Sequence, residues 1–108
     1  MFNLFGFKSD KIGMQEALDS MKDNAAVRLV DVRTPQEYAA GHIPGSISLP
    51  LDDLGRAATL LRDKQARIYV YCLSGGRSAM AVSMLKRSGY TDVHNIGGIS
   101  AYQGSLER

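Results

Sequence analysis

Cysteine, glycine, arginine and serine stand close together at Cys72-Leu73-Ser74-Gly75-Gly76-Arg77-Ser78, directly after the apolar, aromatic-rich run Ile68-Tyr69-Val70-Tyr71. Such a run reads as a buried strand, and a helical pattern follows from Ser78, with Met80, Ala81, Met84 and Leu85 inward. The thiol therefore sits at the C-terminal end of a strand, with a tight loop returning to a helix N-terminus. That edge of an α/β sheet is where ligands bind. Backbone N–H groups and the positive end of the helix dipole favour anions there, and the same field favours a thiolate over a thiol. Consecutive glycines let the N–H groups converge on one point, which a merely packed thiol does not need. We read the segment as a cradle for a small anion or a sulfur atom, with Cys72 as nucleophile and Leu73, Ser74, Gly75, Gly76, Arg77 and Ser78 around it.

Arg77 has two available jobs. Its planar fork of donors can hold an oxyanion in the pocket, or it can fold back on a carboxylate and brace the loop. In either position its charge is expected to favour the thiolate. Ser78 is expected as the helix N-cap, with a hydroxyl also able to donate to a sulfur anion. The two histidines, His42 and His94, lie in no Cys–His pattern, and His42 beside Pro44-Gly45 reads as a structural hydrogen-bonder. With Cys72 they lack the spacing of a metal site. The chemistry should rest on loop dipoles and Arg77 rather than on a base, which suits sulfur transfer through a persulfide.

A second strand end bears on the same edge. Val27–Val32 reads as a buried strand, and Asp31 within it needs a partner because a buried unpaired carboxylate is costly. Arg33, or a backbone N–H in a neighbouring loop, serves as that partner; the simpler reading is a supporting ion pair, and the alternative has Arg33 adding positive field to the pocket.

The elements that position these residues alternate along the chain. Residues 13–23 read as an amphipathic helix, with Met14, Ala17, Leu18 and Met21 recurring at helical spacing. Thr34-Pro35-Gln36-Glu37 is a capping box with proline at the first helical position, and Gly41 is placed to stop that helix in the left-handed conformation. Ser46–Leu49 reads as a short strand. Pro50 opens a third helix with Leu51, Leu54, Ala58 and Leu61 on one face. Asp52 and Asp53 fall in its first turn, and Arg62 and Lys64 in its last. Asp92–Ile96 is the last strand, followed through Gly97-Gly98 by a short helix near 99–106. Strand alternating with helix predicts an α/β domain with a mainly parallel sheet and helices on both faces.

Bulk properties narrow the function. The chain has 108 residues, 44% hydrophobic and 22% charged, which fits one ordinary globular domain. A net charge of +2, from 13 basic and 11 acidic residues without blocks, gives no basis for nucleic-acid or membrane binding. A single cysteine excludes an internal disulfide and fits a reducing compartment. The start, Met1-Phe-Asn-Leu-Phe-Gly-Phe7, lacks a basic n-region and breaks at Lys8-Ser9-Asp10, so it does not read as a signal peptide. It is expected either to fold on the core or to form a small docking patch.

These residues resemble the rhodanese family of sulfurtransferases. Leu29-Val30-Asp31-Val32-Arg33 with Glu37-Tyr38 and Gly41-His42-Ile43-Pro44-Gly45 matches one signature. Cys72 through Ser78 looks like the family's Cys-x-x-Gly-x-Arg-Ser loop. Gly97-Gly98-Ile99 before a terminal aromatic is the third, with Tyr102 where the family often has Trp. The resemblance implies a rhodanese-like α/β fold, with residues 11–108 as a single rhodanese domain after an apolar segment over 1–10. It also implies that Cys72 takes up a sulfane sulfur as a persulfide, cradled by backbone N–H groups from Leu73 to Ser78. The donor would be a small anion such as thiosulfate or a protein persulfide, and the acceptor a thiol or a cyanide-like nucleophile. Neither a cofactor nor a metal is called for, and the expected location is cytoplasmic.

Two other classes compete. Cysteine phosphatases and arsenate reductases use a Cys-x5-Arg loop, whereas only four residues separate Cys72 from Arg77, so the ring of N–H groups should fit one sulfur better than a phosphate. A non-catalytic or regulatory rhodanese-like binding module is the other, and such modules commonly lack the cysteine retained here.

Overall fold

The computed structural model describes residues 12–108, so the apolar segment expected over 1–10 lies outside the described residues. Four strands, β1 (Arg28–Asp31), β2 (Ile47–Ser48), β3 (Ile68–Cys72) and β4 (Val93–Gly98), form one parallel sheet in the order β2-β1-β3-β4. The crossovers are made by α2 (Pro35–Ala40), α3 (Ala57–Leu60) and α4 (Gly76–Arg87), and α1 (Met14–Met21) precedes the sheet. β3 is buried along its whole length, as a central parallel strand covered on both faces must be. Alternation along it then sorts the core. Ile68, Val70 and Cys72 face a cluster with Leu54, Ala57, Ala81 and Leu85, while Tyr69 and Tyr71 face one with Met14, Ala17, Ile43 and Ile96. Cys72 thus points to the side of the sheet that carries α4. Among the described residues, no helix is long and apolar enough to cross a membrane.

The capping box forms as expected: Thr34 Oγ1 accepts from the Glu37 N–H, and Glu37 Oε1 accepts from the Thr34 N–H. Several details differ. Gly41 ends α2 at φ 157° and ψ 130° rather than in the left-handed helical conformation. The third helix winds as a 3-10 turn over Leu51–Arg56 and becomes α-helical only over Ala57–Leu60. Three residues per turn place Ala57 under Leu54, so Ala57 is buried and Ala58 is exposed, reversing the expected face. Arg62 and Lys64 fall beyond the helix, and Lys64 Nζ instead donates to the Ser88 carbonyl at the end of α4. α4 begins at Gly76, two residues before the expected start, and its buried stripe is Ser78, Ala81, Val82 and Leu85. Met80 and Met84 are exposed. The last helix is a single 3-10 turn, Ile99–Ala101, because Glu107 pairs back on His42 through two backbone hydrogen bonds of 2.9 and 2.8 Å.

β4 carries the feature that shapes the site. Its pairing with β3 runs Val70 opposite Asn95 and then Cys72 opposite Gly98, so one extra residue is accommodated around Gly97, which has φ +96°. Gly98 is thereby pressed under the loop after Cys72. A Cβ there would lie 2.0 Å from the Leu73 carbonyl oxygen and 2.5 Å from Ser74 Cα. The Ser100 N–H and hydroxyl also reach the Leu73 carbonyl, at 3.3 and 3.2 Å. A methyl at this position has to displace backbone rather than a flexible side chain. Gly98→Ala is therefore expected to destabilise the fold by about 1–3 kcal/mol in urea unfolding. Wild-type stability in that variant would contradict the close seating of loop on strand.

Candidate active site

Of the residues from Leu73 to Ser78, the structure sets Ser74, Gly75 and Ser78 as donors toward Cys72. The Gly75 N–H donates to Cys72 Sγ at 2.9 Å, and Ser78 Oγ stands 3.5 Å from the same sulfur. This placement depends on Gly75 adopting φ +110°, a left-handed conformation costly for any residue with a Cβ. Gly75 is also the residue before α4 and offers no capping side chain. The first α-type bond of the helix is Ala79 N–H to the Gly75 carbonyl, so the N–H groups of Gly76, Arg77 and Ser78 precede the helical ladder. The strand end thus meets a helix start whose donors are committed neither to a cap nor to the helix.

These donors decide the state of the sulfur. Cys72 is 1% exposed, and burial alone pushes its thiol up. The Ser78 hydroxyl and the backbone N–H groups of Ser78, Gly75 and Ser74 outweigh burial, and the thiol is held below its ordinary value. A net lowering against desolvation requires that the donors converge on the sulfur.

Ser78 is not the N-cap. It lies inside the first turn of α4, fully buried, and its hydroxyl reaches inward to the Gly75 carbonyl at 3.0 Å and to Asn95 Oδ1 at 2.7 Å. The cap position falls to Gly75 because the loop closes two residues sooner than the helical pattern suggested.

Arg77 takes the bracing role. Its two terminal nitrogens donate to the two carboxylate oxygens of Glu37, at 2.7 and 3.0 Å, tying the start of α4 to α2. Glu37 is held near pH 2 by that guanidinium first and by the Thr34 N–H second, with its other contacts smaller. The close donors to the sulfur are loop dipoles, and the Arg77 charge also couples to Cys72, as expected of it, in the direction that favours the thiolate. Arg77 also borders a cavity of about 300 Å³ with Val32, Thr34, Pro35, Asp52 and Asp53. On the other flank, Ser74 and Gly75 border a cavity of about 550 Å³ with Asn95 and Gly97.

Asp31 and Arg33 form the ion pair expected of them. Arg33 Nε stands 3.1 Å from both Asp31 oxygens, and its Nη2 donates to Asp31 at 2.7 Å and to the Gly41 carbonyl at 2.7 Å. Both side chains are buried, and Arg33 lies against the Tyr71 ring. Its Nε and Nη2 donors go to Asp31 and to the Gly41 carbonyl at the end of α2, not to the cradle. His42 is structural, stacked on Tyr38 with Nδ1 on the Tyr38 carbonyl, and His94 pairs with Asp92. The residues missed by sequence reading are Glu37, the partner of Arg77, and Asn95, which the bulge in β4 brings under the loop. In the sequence Glu37 reads as part of the capping box and of the first signature, with nothing to pair it with Arg77, and no local pattern points to Asn95.

The family described as rhodanese-like domain matches residues 14–105, and the chain belongs to that family. It is similar to Thiosulfate sulfurtransferase PspE of Escherichia coli (strain K12), 41% identical over 76 residues covering 69% of this chain and 73% of that protein. Adenylyltransferase and sulfurtransferase uba4 of Ogataea parapolymorpha is 36% identical over 92 residues, which are 84% of this chain but only 24% of that longer protein. Among solved structures, "rhodanese with anions from E. coli" superposes with a TM-score of 0.72 at 36% identity, covering 77% of this chain and 99% of that one.

The Arg77–Glu37 brace has a defined pH window. Because Glu37 titrates near 2 in the fold and at 4.5 without partners, its contribution is complete above pH 4.5 and is lost as pH falls toward 2. Glu37→Gln is expected to lower stability at pH 7 by no more than about 1 kcal/mol, since both partners are about a third exposed. In urea unfolding the gap to wild type should narrow from pH 4.5 downward. A gap that stays constant to pH 2 would contradict the assignment.

Proposed function

We propose that this protein is a rhodanese-type sulfurtransferase that carries a sulfane sulfur on Cys72 as a persulfide. The observation that carries the reading is the convergence of the Gly75 N–H and the Ser78 hydroxyl on a buried sulfur whose thiol is lowered in spite of burial. The step needs a thiolate and anion stabilisation but no proton shuttle. With thiosulfate, the Cys72 thiolate attacks the outer sulfur, the S–S bond to sulfite breaks, and sulfite leaves with the bonding electron pair. The negative charge passes to the terminal sulfur of the persulfide, within reach of the N–H groups from Leu73 to Ser78. A nucleophile such as cyanide or a thiolate then attacks that sulfur, and Cys72 departs as the thiolate.

The relatives' names support the reaction class, and the E. coli rhodanese solved with anions supports an anionic ligand. A protein persulfide is an equally suitable donor, since the cradle asks only for a transferable sulfane sulfur. Phosphatase or arsenate chemistry ranks lower because only four residues separate Cys72 from Arg77, a ring of N–H groups sized for one sulfur rather than a phosphate. A reducing, cytoplasmic compartment, which keeps an unpaired thiol available, belongs to the same proposal.

The test is thiocyanate formation from thiosulfate and cyanide. Cys72→Ser should fall to the buffer rate while unfolding within a few degrees of wild type. One glycine inserted between Gly75 and Gly76 should lower the rate at least about tenfold by pulling donors off the sulfur. Turnover retained in Cys72→Ser would move the nucleophile elsewhere.

A further inference from the structure

Asn95 is buried, lies beneath the loop, and has no part in the transfer chemistry as derived so far. Its Oδ1 accepts from the Gly97 N–H at 2.9 Å and from the Ser78 hydroxyl at 2.7 Å. Its Nδ2 donates to the Gly75 carbonyl at 3.2 Å. These partners fix the amide orientation. Turned over, it would set an NH2 against the Gly97 N–H and an oxygen against the Gly75 carbonyl.

The Ser78 hydroxyl has one proton and several acceptors around it. Asn95 Oδ1 is the nearest at 2.7 Å, the Gly75 carbonyl is at 3.0 Å, and Cys72 Sγ and the Gly97 carbonyl are both at 3.5 Å. With Cys72 as a thiol, all valences close: S–H donates to Ser78 Oγ, and the hydroxyl donates to Asn95. A sulfur anion can only accept. When the thiol proton leaves to solvent, the Ser78 hydroxyl must turn from Asn95 to the sulfur. Asn95 Oδ1 keeps the Gly97 N–H through that turn, so no buried oxygen is stranded and the turn is inexpensive. Meanwhile Nδ2 keeps hold of the Gly75 carbonyl, and with it the residue whose N–H is aimed at Sγ.

We propose that the Asn95 side-chain amide is a positioning residue for Cys72. It parks the Ser78 hydroxyl in the thiol state, releases it to a sulfur anion, and holds Gly75 in the donating orientation throughout. This rests on the proposed thiolate chemistry of Cys72 and adds a residue on β4 to the loop that performs it.

The experiment is the pH dependence of Cys72 alkylation by iodoacetamide in wild type, Asn95→Ala, Asn95→Leu, Ser78→Ala and the corresponding double variants. In the Ser78→Ala background, where only the hold on Gly75 remains, removing the Asn95 amide should raise the midpoint by about one pH unit. With Ser78 present the same substitution also frees the hydroxyl for the sulfur, which acts the other way, so the midpoint should rise by less than half as much. No shift in the Ser78→Ala background, or an equal shift in both backgrounds, overturns the role of Asn95. A wild-type protein with the ordinary thiol midpoint of about 8.5 overturns the thiolate reading itself, a separate result. A second measurement needs no variant. The Asn95 side-chain NH2 signals in the NMR spectrum of the native protein should titrate with the alkylation midpoint, and signals that do not move contradict the proposal.

Discussion

Much of the head of this sheet depends on one contact, the Gly75 N–H on Cys72 Sγ at 2.9 Å. A donor can reach back over a strand end only if the chain reverses within three residues, and the left-handed Gly75 supplies that reversal. The reversal in turn needs a floor. Gly98 provides it, since its missing side chain leaves the space that the Leu73 carbonyl occupies. The extra residue in β4 sets Gly98 opposite Cys72, and the same irregularity puts Asn95 where its amide can hold both the loop and Ser78. Strand register, loop conformation and sulfur chemistry form one chain of cause.

Charge is used differently from what a lone arginine beside a cysteine suggests. The two arginines nearest the family signatures are each neutralised by a carboxylate, Arg33 by Asp31 and Arg77 by Glu37. Both act as cross-braces between elements, one inside the β1–α2 connection and one from α2 to α4. The sulfur is left with close dipoles, from N–H groups and one hydroxyl, and with the Arg77 charge acting on it at longer range. The dipole field is fixed by backbone conformation, is worth more in a buried site than in water, and needs little reorganisation when charge develops on the sulfur.

The parts legible in the sequence were those written in contiguous residues. The Cys72–Ser78 loop, the Thr34–Glu37 capping box, the Asp31–Arg33 pair and the alternation of strand and helix all lie within a few positions of one another. The parts that were not legible depend on residues distant in sequence. Glu37 and Arg77 are 40 positions apart, and Ser78 and Asn95 are 17 apart. Ser78 reads as a cap because serine before an apolar pattern usually is one. Here the buried sulfur and Asn95 draw its hydroxyl inward, and the helix starts earlier on glycine. Ala58 reads as buried under a 3.6-residue period, but a 3-10 start shifts the inward face to Ala57. In each case tertiary contacts overrode a sound local rule.

The most direct measurement of the central claim is the intact-protein mass after thiosulfate, and again after cyanide. The account predicts a gain of one sulfur atom that cyanide removes and that Cys72→Ser never acquires. A sulfur retained by Cys72→Ser, or no gain with thiosulfate or any other sulfane donor, would contradict Cys72 as the carrier.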